Sequence, residues 1–380
     1  MKEVYIPQKL LEKIKKSIEP NKVIVVYGPR RCGKTTLLKK FLEQTNEDYL
    51  SVQGDDIFIK EDLGSRSIEK LKKFIGKYKL LIIDEAQKIP NIGLNLKLIV
   101  DSIEGIKILV SGSASFDLYQ QVGEPLTGRK MTFCLYPLSQ IEFSKIEKFH
   151  ETKANLESRL IFGSYPEAVL AEDNQKRIYY LKELISSYLY KDILELDGLK
   201  HSDKIVKILQ LLSFQIGNEV SYSEIGSQIG LNKKTVERYL DLLEKVFVIF
   251  KLRGLSRNPR KEISKSPKYY FYDLGVRNAL IGNFNPINIR NDVGLLWENY
   301  LIYERLKKQE YSSIYANNYF WRTYTQKEVD FVEEREGKLF GYEFKWGKDK
   351  SVKEPKEWRQ TYSNAEYKII NPENYLEFIL

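Results

Sequence analysis

Short apolar runs recur through the first part of the chain, separated by stretches whose apolar positions fall three and four residues apart. Residues 23–27, 49–52, 80–83, 106–110 and 131–135 read as strands. Strands that are apolar throughout, alternating with helical segments, predict a parallel α/β sheet covered on both faces. From about residue 146 to 250 the pattern turns helical, with Leu156, Leu160 and Ile161, then Leu181, Leu184, Ile185 and Leu189, at helical spacing. From about residue 266 aromatic-rich strands return around one strong helix at 294–308. The predicted units are 1–145, 146–200, 201–262 and 263–380, in an α/β chain.

Length and composition agree with several folded units. A chain of 380 residues exceeds one ordinary core, and its 42% hydrophobic share is that of a globular protein. No apolar run approaches the ~18–20 residues that span a bilayer. The opening Met1 to Pro7 lacks the apolar core of a secretory signal. The two cysteines are Cys32 and Cys134, and the first lies inside a loop of chemical interest, so a structural disulfide is not expected and a cytoplasmic location is. The net charge of +9 suits an anionic partner. Seven basic residues (Lys251, Arg253, Arg257, Arg260, Lys261, Lys265, Lys268) face one acid, Glu262, between 251 and 268. That stretch reads equally as a phosphate-contacting surface and as a solvated hairpin.

The first chemical motif follows the first strand. Gly28-Pro29-Arg30-Arg31-Cys32-Gly33-Lys34-Thr35 fits G-x-x-x-x-G-K-[ST], with Thr36 and a predicted helix at 35–42 behind it. Such a loop aims backbone N–H groups and a helix dipole at phosphates. Lys34 is expected on the β/γ oxygens and the Thr35 hydroxyl on Mg2+. The strand 80–83 ends in Asp84-Glu85, where Asp84 would support the Mg2+ shell and Glu85 would orient or deprotonate water. No Asn-Lys-x-Asp motif for guanine is present, so ATP is the expected nucleotide. Ser111 and Ser113 fall at another strand end, as a γ-phosphate sensor or simply a serine-rich turn. Arg129 is a candidate charge-stabilising arginine, acting within the chain or across a homo-oligomer.

Further along, Ser221-Tyr222-Ser223-Glu224 reads as a capping box and Gly230 as a helix terminator. A second helix over Lys233–Lys245 places Val236, Leu240, Leu243 and Phe247 on its apolar side. The pair predicts a helix-turn-helix, with a wing beginning at 246–252. Lys233, Lys234 and Arg238 can contact DNA, whereas Glu237 and Asp241 on the same face oppose a strongly electrostatic reading. Protein interaction is the other role open to this unit.

The last third holds Glu298, then Glu328-Val329-Asp330-Phe331, then Glu343-Phe344-Lys345. Alternation along strands turns Asp330 away from Val329 and Phe331, and puts Glu343 and Lys345 on one face. Glu298, Asp330 and Glu343 are candidate metal ligands, and Lys345 a candidate catalytic lysine. This order is similar to the restriction-endonuclease-like nuclease fold. The competing assignment is an inactive scaffold in which Glu298 and Asp330 pair with Arg305 or Arg322. His150 and His201 are the sole histidines and are isolated, which leaves no histidine-based zinc site or catalytic triad.

Taken together, the loop at 28–35, Asp84-Glu85-Ala86-Gln87 with Pro90, Ser111-Gly112-Ser113, Gly128-Arg129 and Leu135-Tyr136-Pro137-Leu138-Ser139 with Glu142-Phe143 resemble the AAA-superfamily ATPases of archaea and bacteria. The resemblance implies an ATPase core, a helical lid containing Gly163-Ser164-Tyr165-Pro166-Glu167, a winged helix and a C-terminal domain. The expectation is an ATP-dependent protein acting on DNA, with a regulatory ATPase that binds a partner without cutting as the alternative.

Overall fold

The computed structural model describes residues 5–113, 126–186, 202–256, 266–347 and 353–380. Leu189, His201, Arg257, Arg260, Lys261, Glu262 and Lys265, named above, lie outside them.

Strands β1 (Lys22–Gly28), β2 (Tyr49–Gln53), β3 (Leu80–Asp84), β4 (Lys107–Ser113) and β5 (Lys130–Cys134) form a parallel sheet in the order β2-β3-β4-β1-β5. Its central strands serve two cores by alternation. Val23, Val25, Leu81, Ile83, Ile108 and Val110 join one apolar cluster, and Ile24, Val26, Leu80, Ile82 and Leu109 join the other. The helices Lys9–Ser17 and Lys34–Leu42 cover the second face, and Ile68–Ile75 and Ile92–Ser102 the first. The apolar runs are thus continuous because neither face meets water.

Beyond the helices Leu156–Phe162 and Asn174–Leu184 come Ser202–Phe214, Tyr222–Ile229 and Lys233–Lys245. Tyr222–Ile229 starts at Ser221, whose hydroxyl accepts from Glu224 N–H at 3.4 Å, and stops at Gly230, with φ of +69°. Lys233–Lys245 starts at Asn232, whose side chain accepts from Thr235 N–H at 2.8 Å.

The next strands are β6 (Ile249–Gly254), β7 (Lys268–Phe271), β8 (Asn317–Arg322), β9 (Glu328–Arg335), β10 (Lys338–Phe344) and β11 (Glu366–Ile370). They make one sheet in the order β11-β10-β9-β8-β6-β7. β6 pairs with β7 antiparallel and with β8 parallel, so the expected wing strand is part of the C-terminal sheet. The helix Val293–Ser312 precedes β8, and Lys356–Thr361 lies between β10 and β11, which run parallel.

The helix Val293–Ser312 also joins the two halves. Gln140 N–H donates to Glu304 Oε2 at 2.6 Å, and Lys307 Nζ donates to Leu138 O at 2.8 Å. Lys307 and Glu304 pair at 2.7 Å with both side chains buried. The segment from Cys134 to Phe143 is therefore the seat of the C-terminal unit on the first sheet.

Candidate functional site

The loop after β1 bends where only glycine fits. Gly28 has φ of +154°, and a Cβ there would stand 2.0 Å from Leu135 O. Gly33, at φ of +101°, opens the helix Lys34–Leu42. Lys34 is buried, and its Nζ donates to the carbonyls of Gly28 and Pro29 at 2.9 and 2.8 Å. A single ammonium thus spans the concave side of the loop.

The strand order brings the acidic element to this loop. β4 lies between β1 and β3, and its register sets Ser111 beside Val26 and Ser113 beside Gly28. Thr35 donates its hydroxyl proton to Asp84 Oδ2 at 2.6 Å, and Ser111 donates to Asp84 Oδ1. Ser111 and Ser113 are both buried. Glu85 adopts a left-handed φ of +53°, which turns its half-buried side chain off the end of β3. Gln87 Nε2 donates to Glu85 Oε2 at 2.5 Å and to Ser113 Oγ at 2.9 Å. Gln87 belongs to the motif read above, but nothing in its spacing announced this bridge.

A cleft of about 1350 Å³ opens over the loop, lined by Arg30, Arg31, Gly33, Thr35, Thr36 and Glu85 on one wall. The opposite wall is helical, from Pro166 to Glu183. Arg31 Nη1 lies 3.1 Å from Glu167 Oε2 and the guanidinium 5.9 Å from the Tyr180 ring. Burial pushes the Tyr180 phenol up, and its oxygen has no hydrogen-bond partner among the described residues. Cys32 turns inward: its thiol donates to Leu135 O at 3.4 Å, and burial raises its pKa. Its side chain therefore does not face the cleft. Gln8, unmarked by any motif, reaches Gly33 O through Nε2 at 3.3 Å from behind the loop.

Arg129 needs correction as an arginine acting within its own site. β5 begins beside the beginning of β1, and Arg129 O accepts from Val23 N–H at 2.9 Å. Arg129 thus sits at the amino end of the sheet, opposite the loop, and pairs with Asp101 at 2.7 Å.

The C-terminal constellation is gathered, but not as a ligand set. Glu298 accepts from the Tyr270 hydroxyl at 2.6 Å, Asp330 accepts from Phe344 N–H at 2.7 Å, and Glu343 pairs with Lys345 at 2.8 Å. Among the described residues no group of three or more His, Cys, Asp or Glu side chains is placed to hold a metal ion. Asp330 does turn away from Val329 and Phe331, yet it is buried as well, because both faces of β9 are covered. The alternative pairing also differs: Arg305 goes to buried Glu333, and Arg322 to Glu219 and Glu328.

Of the basic stretch, Lys251, Arg253 and Lys268 lie among the described residues. Lys251 pairs with Asp241 and Glu244 at 3.4 and 3.1 Å, and Lys268 is 1% exposed. Arg253 is exposed. On the helix Lys233–Lys245, Lys233, Lys234, Glu237 and Arg238 are exposed together. No described helix is long and apolar enough to cross a membrane.

Three segments of the chain match protein families. Residues 20–144 match the AAA domain family, 153–286 a domain of unknown function (DUF8612) and 293–376 a domain of unknown function (DUF4143). An uncharacterized protein of Mycobacterium tuberculosis is 24% identical over 338 residues, covering 88% of this chain and 72% of that protein. One from Methanocaldococcus jannaschii is 26% identical over 336 residues, covering 82% and 72%. An uncharacterized ATP-binding protein of Pyrococcus horikoshii is 54% identical over 43 residues, 11% of this chain and 13% of its own. A Walker-type ATPase of Pyrococcus abyssi superposes with a TM-score of 0.47 at 18% identity, covering 72% of this chain and 93% of that one. Over residues 20–144, which hold the loop 28–35 and Asp84, the chain is similar to the AAA domain family.

Proposed function

We propose that this protein hydrolyses ATP at the loop 28–35 and uses the cycle to reposition its later units on DNA. The observation that carries the first part is the Thr35 to Asp84 hydrogen bond of 2.6 Å, set beside the buried Lys34. In this reading Lys34 exchanges the Gly28 and Pro29 carbonyls for β/γ-phosphate oxygens. Thr35 and Asp84 are an all-oxygen donor pair, which fits Mg2+; these two residues would hold the ion, with phosphates and water as its other ligands. Bound there, Mg2+ supplies neutralisation of phosphate charge. Glu85 orients and deprotonates the attacking water, and the Gln87 bridge to Ser113 fixes its carboxylate. The helical wall from Pro166 to Glu183 covers the nucleoside. Lys34→Ala should abolish ATP binding, and an unchanged nucleotide affinity would sink the assignment.

The DNA part of the reading is supported by the exposed Lys233, Lys234 and Arg238 on one helix face. The helix, three-strand, helix, strand order from Val293 to Ile370 agrees with a restriction-endonuclease-like core. Arg129, far from its own loop, can serve only a neighbouring subunit. The second reading, a regulatory ATPase that binds a partner without cutting, draws support from Glu237 within the same exposed face. ATP turnover with and without double-stranded DNA separates them: stimulation favours the first, indifference the second.

A further inference from the structure

Four carboxyl groups and two ammonium groups meet where β7, β9 and β10 approach the helix Val293–Ser312. Lys268, the first residue of β7, is 1% exposed, and its Nζ lies 3.8 Å from Glu298 Oε1. The same nitrogen donates to Glu328 Oε1, and it sits 5.1 Å from the centre of the Phe320 ring. Tyr270, two residues along β7, donates to Glu298 Oε1 at 2.6 Å. Asp330 is held by the Phe344 N–H, and Glu343 by Lys345.

A nuclease of the resembled fold would turn Glu298, Asp330 and Glu343 towards a divalent cation. Here Glu298 and Asp330 each have a protein donor, Glu343 is paired through Oε1 while its Oε2 is buried without a partner among the described residues, and the buried positive charge is a lysine. We infer that the Lys268 ammonium takes the place of that cation beside Glu298, so that the centre works without metal. Carboxylates removed from water demand a compensating charge. Once Lys268 supplies it, a divalent ion entering the same space would face a like charge in a poorly screened site.

Lys345, 36% exposed, is the accessible cation of the centre.

Mn2+ is the probe, titrated calorimetrically into the full-length chain without nucleotide. Wild type and Asp330→Asn should bind Mn2+ alike, since the centre contributes nothing in either. Lys268→Met should gain a Mn2+ site that wild type does not show, a gain in affinity of at least on the order of tenfold, through loss of like-charge repulsion. The double variant Lys268→Met/Asp330→Asn should lose that site. A wild-type site that Asp330→Asn removes overturns the inference, and so does a folded Lys268→Met that gains none. If Lys268→Met does not fold, the comparison of wild type with Asp330→Asn still decides.

Discussion

Arg31, in the phosphate loop, stands 3.1 Å from Glu167, in the helical wall that faces it across the cleft. Both side chains are more than half exposed, so the pair adds little to stability. Its position matters more, because it links the loop to the segment that would close over a nucleotide.

Glu167→Ala is therefore expected to change stability by less than about 1 kcal/mol. Nucleotide dissociation, followed by stopped flow with a fluorescent ATP analogue, should become several-fold faster. Unchanged dissociation would mean that the cleft closes without this contact.

Gly28→Ala tests the loop from its other side. A Cβ would meet Leu135 O at 2.0 Å, in the backbone just past the end of the neighbouring strand β5. Chemical denaturation should show a loss above about 2 kcal/mol, with ATP affinity lost as well. Gly230→Ala is the control: φ is +69° and ψ 45°, and a Cβ would meet only the end of the flexible Lys204 side chain at 3.5 Å, so chiefly the backbone cost of about 1 kcal/mol applies. Equal losses in the two variants would contradict the close approach.

The strands around this loop were legible because a sheet covered on both faces needs uninterrupted apolar runs. Lys34, Thr35, Asp84 and Glu85 were legible because their spacing is set by local chain geometry. The position of Arg129 was not, since it depends on which end of β5 faces the loop, a property of the whole sheet. Lys268 was misread as surface charge within a basic stretch. Its partners Glu298 and Glu328 lie far along the chain, and burial of a lysine has no local signature. The fusion of β6 and β7 with the C-terminal sheet was hidden for the same reason: pairing β6 with β8 joins segments separated by the whole helix Val293–Ser312.

Asp273 offers a prediction about pH. It accepts from Ser164 N–H at 2.7 Å and Val276 N–H at 3.1 Å, tying the helical wall to the C-terminal unit. Burial raises its pKa from 3.8 to about 6. The native state thus holds this proton more tightly than the unfolded chain does. The resulting stability is fully present below about pH 4 and is lost as pH rises through about 6, a change on the order of 3 kcal/mol. Asp273→Asn is less stable at low pH, because one acceptor becomes a donor. Its deficit relative to wild type should shrink between pH 4 and 7 in denaturant titrations. A deficit constant across that range would show that Asp273 is ionised throughout.

The buried Glu304 and Lys307 pair carries the junction between the two halves. Glu304→Ala leaves the Lys307 ammonium with the Leu138 carbonyl and no countercharge, and should cost about 3–5 kcal/mol. Glu304→Leu/Lys307→Met should recover much of that loss, since neither charge remains. A double variant no more stable than the single one would place the cost in the Gln140 N–H contact instead.

The central claim is that Glu85 performs chemistry at a site built by Lys34, Thr35 and Asp84. Steady-state ATP turnover and ATP affinity, measured side by side for wild type and Glu85→Gln, test it most directly. The account predicts that turnover falls by roughly 100-fold or more, as for loss of a general base, with affinity held within a few-fold. Turnover that survives in Glu85→Gln, or affinity that disappears with it, would contradict the account.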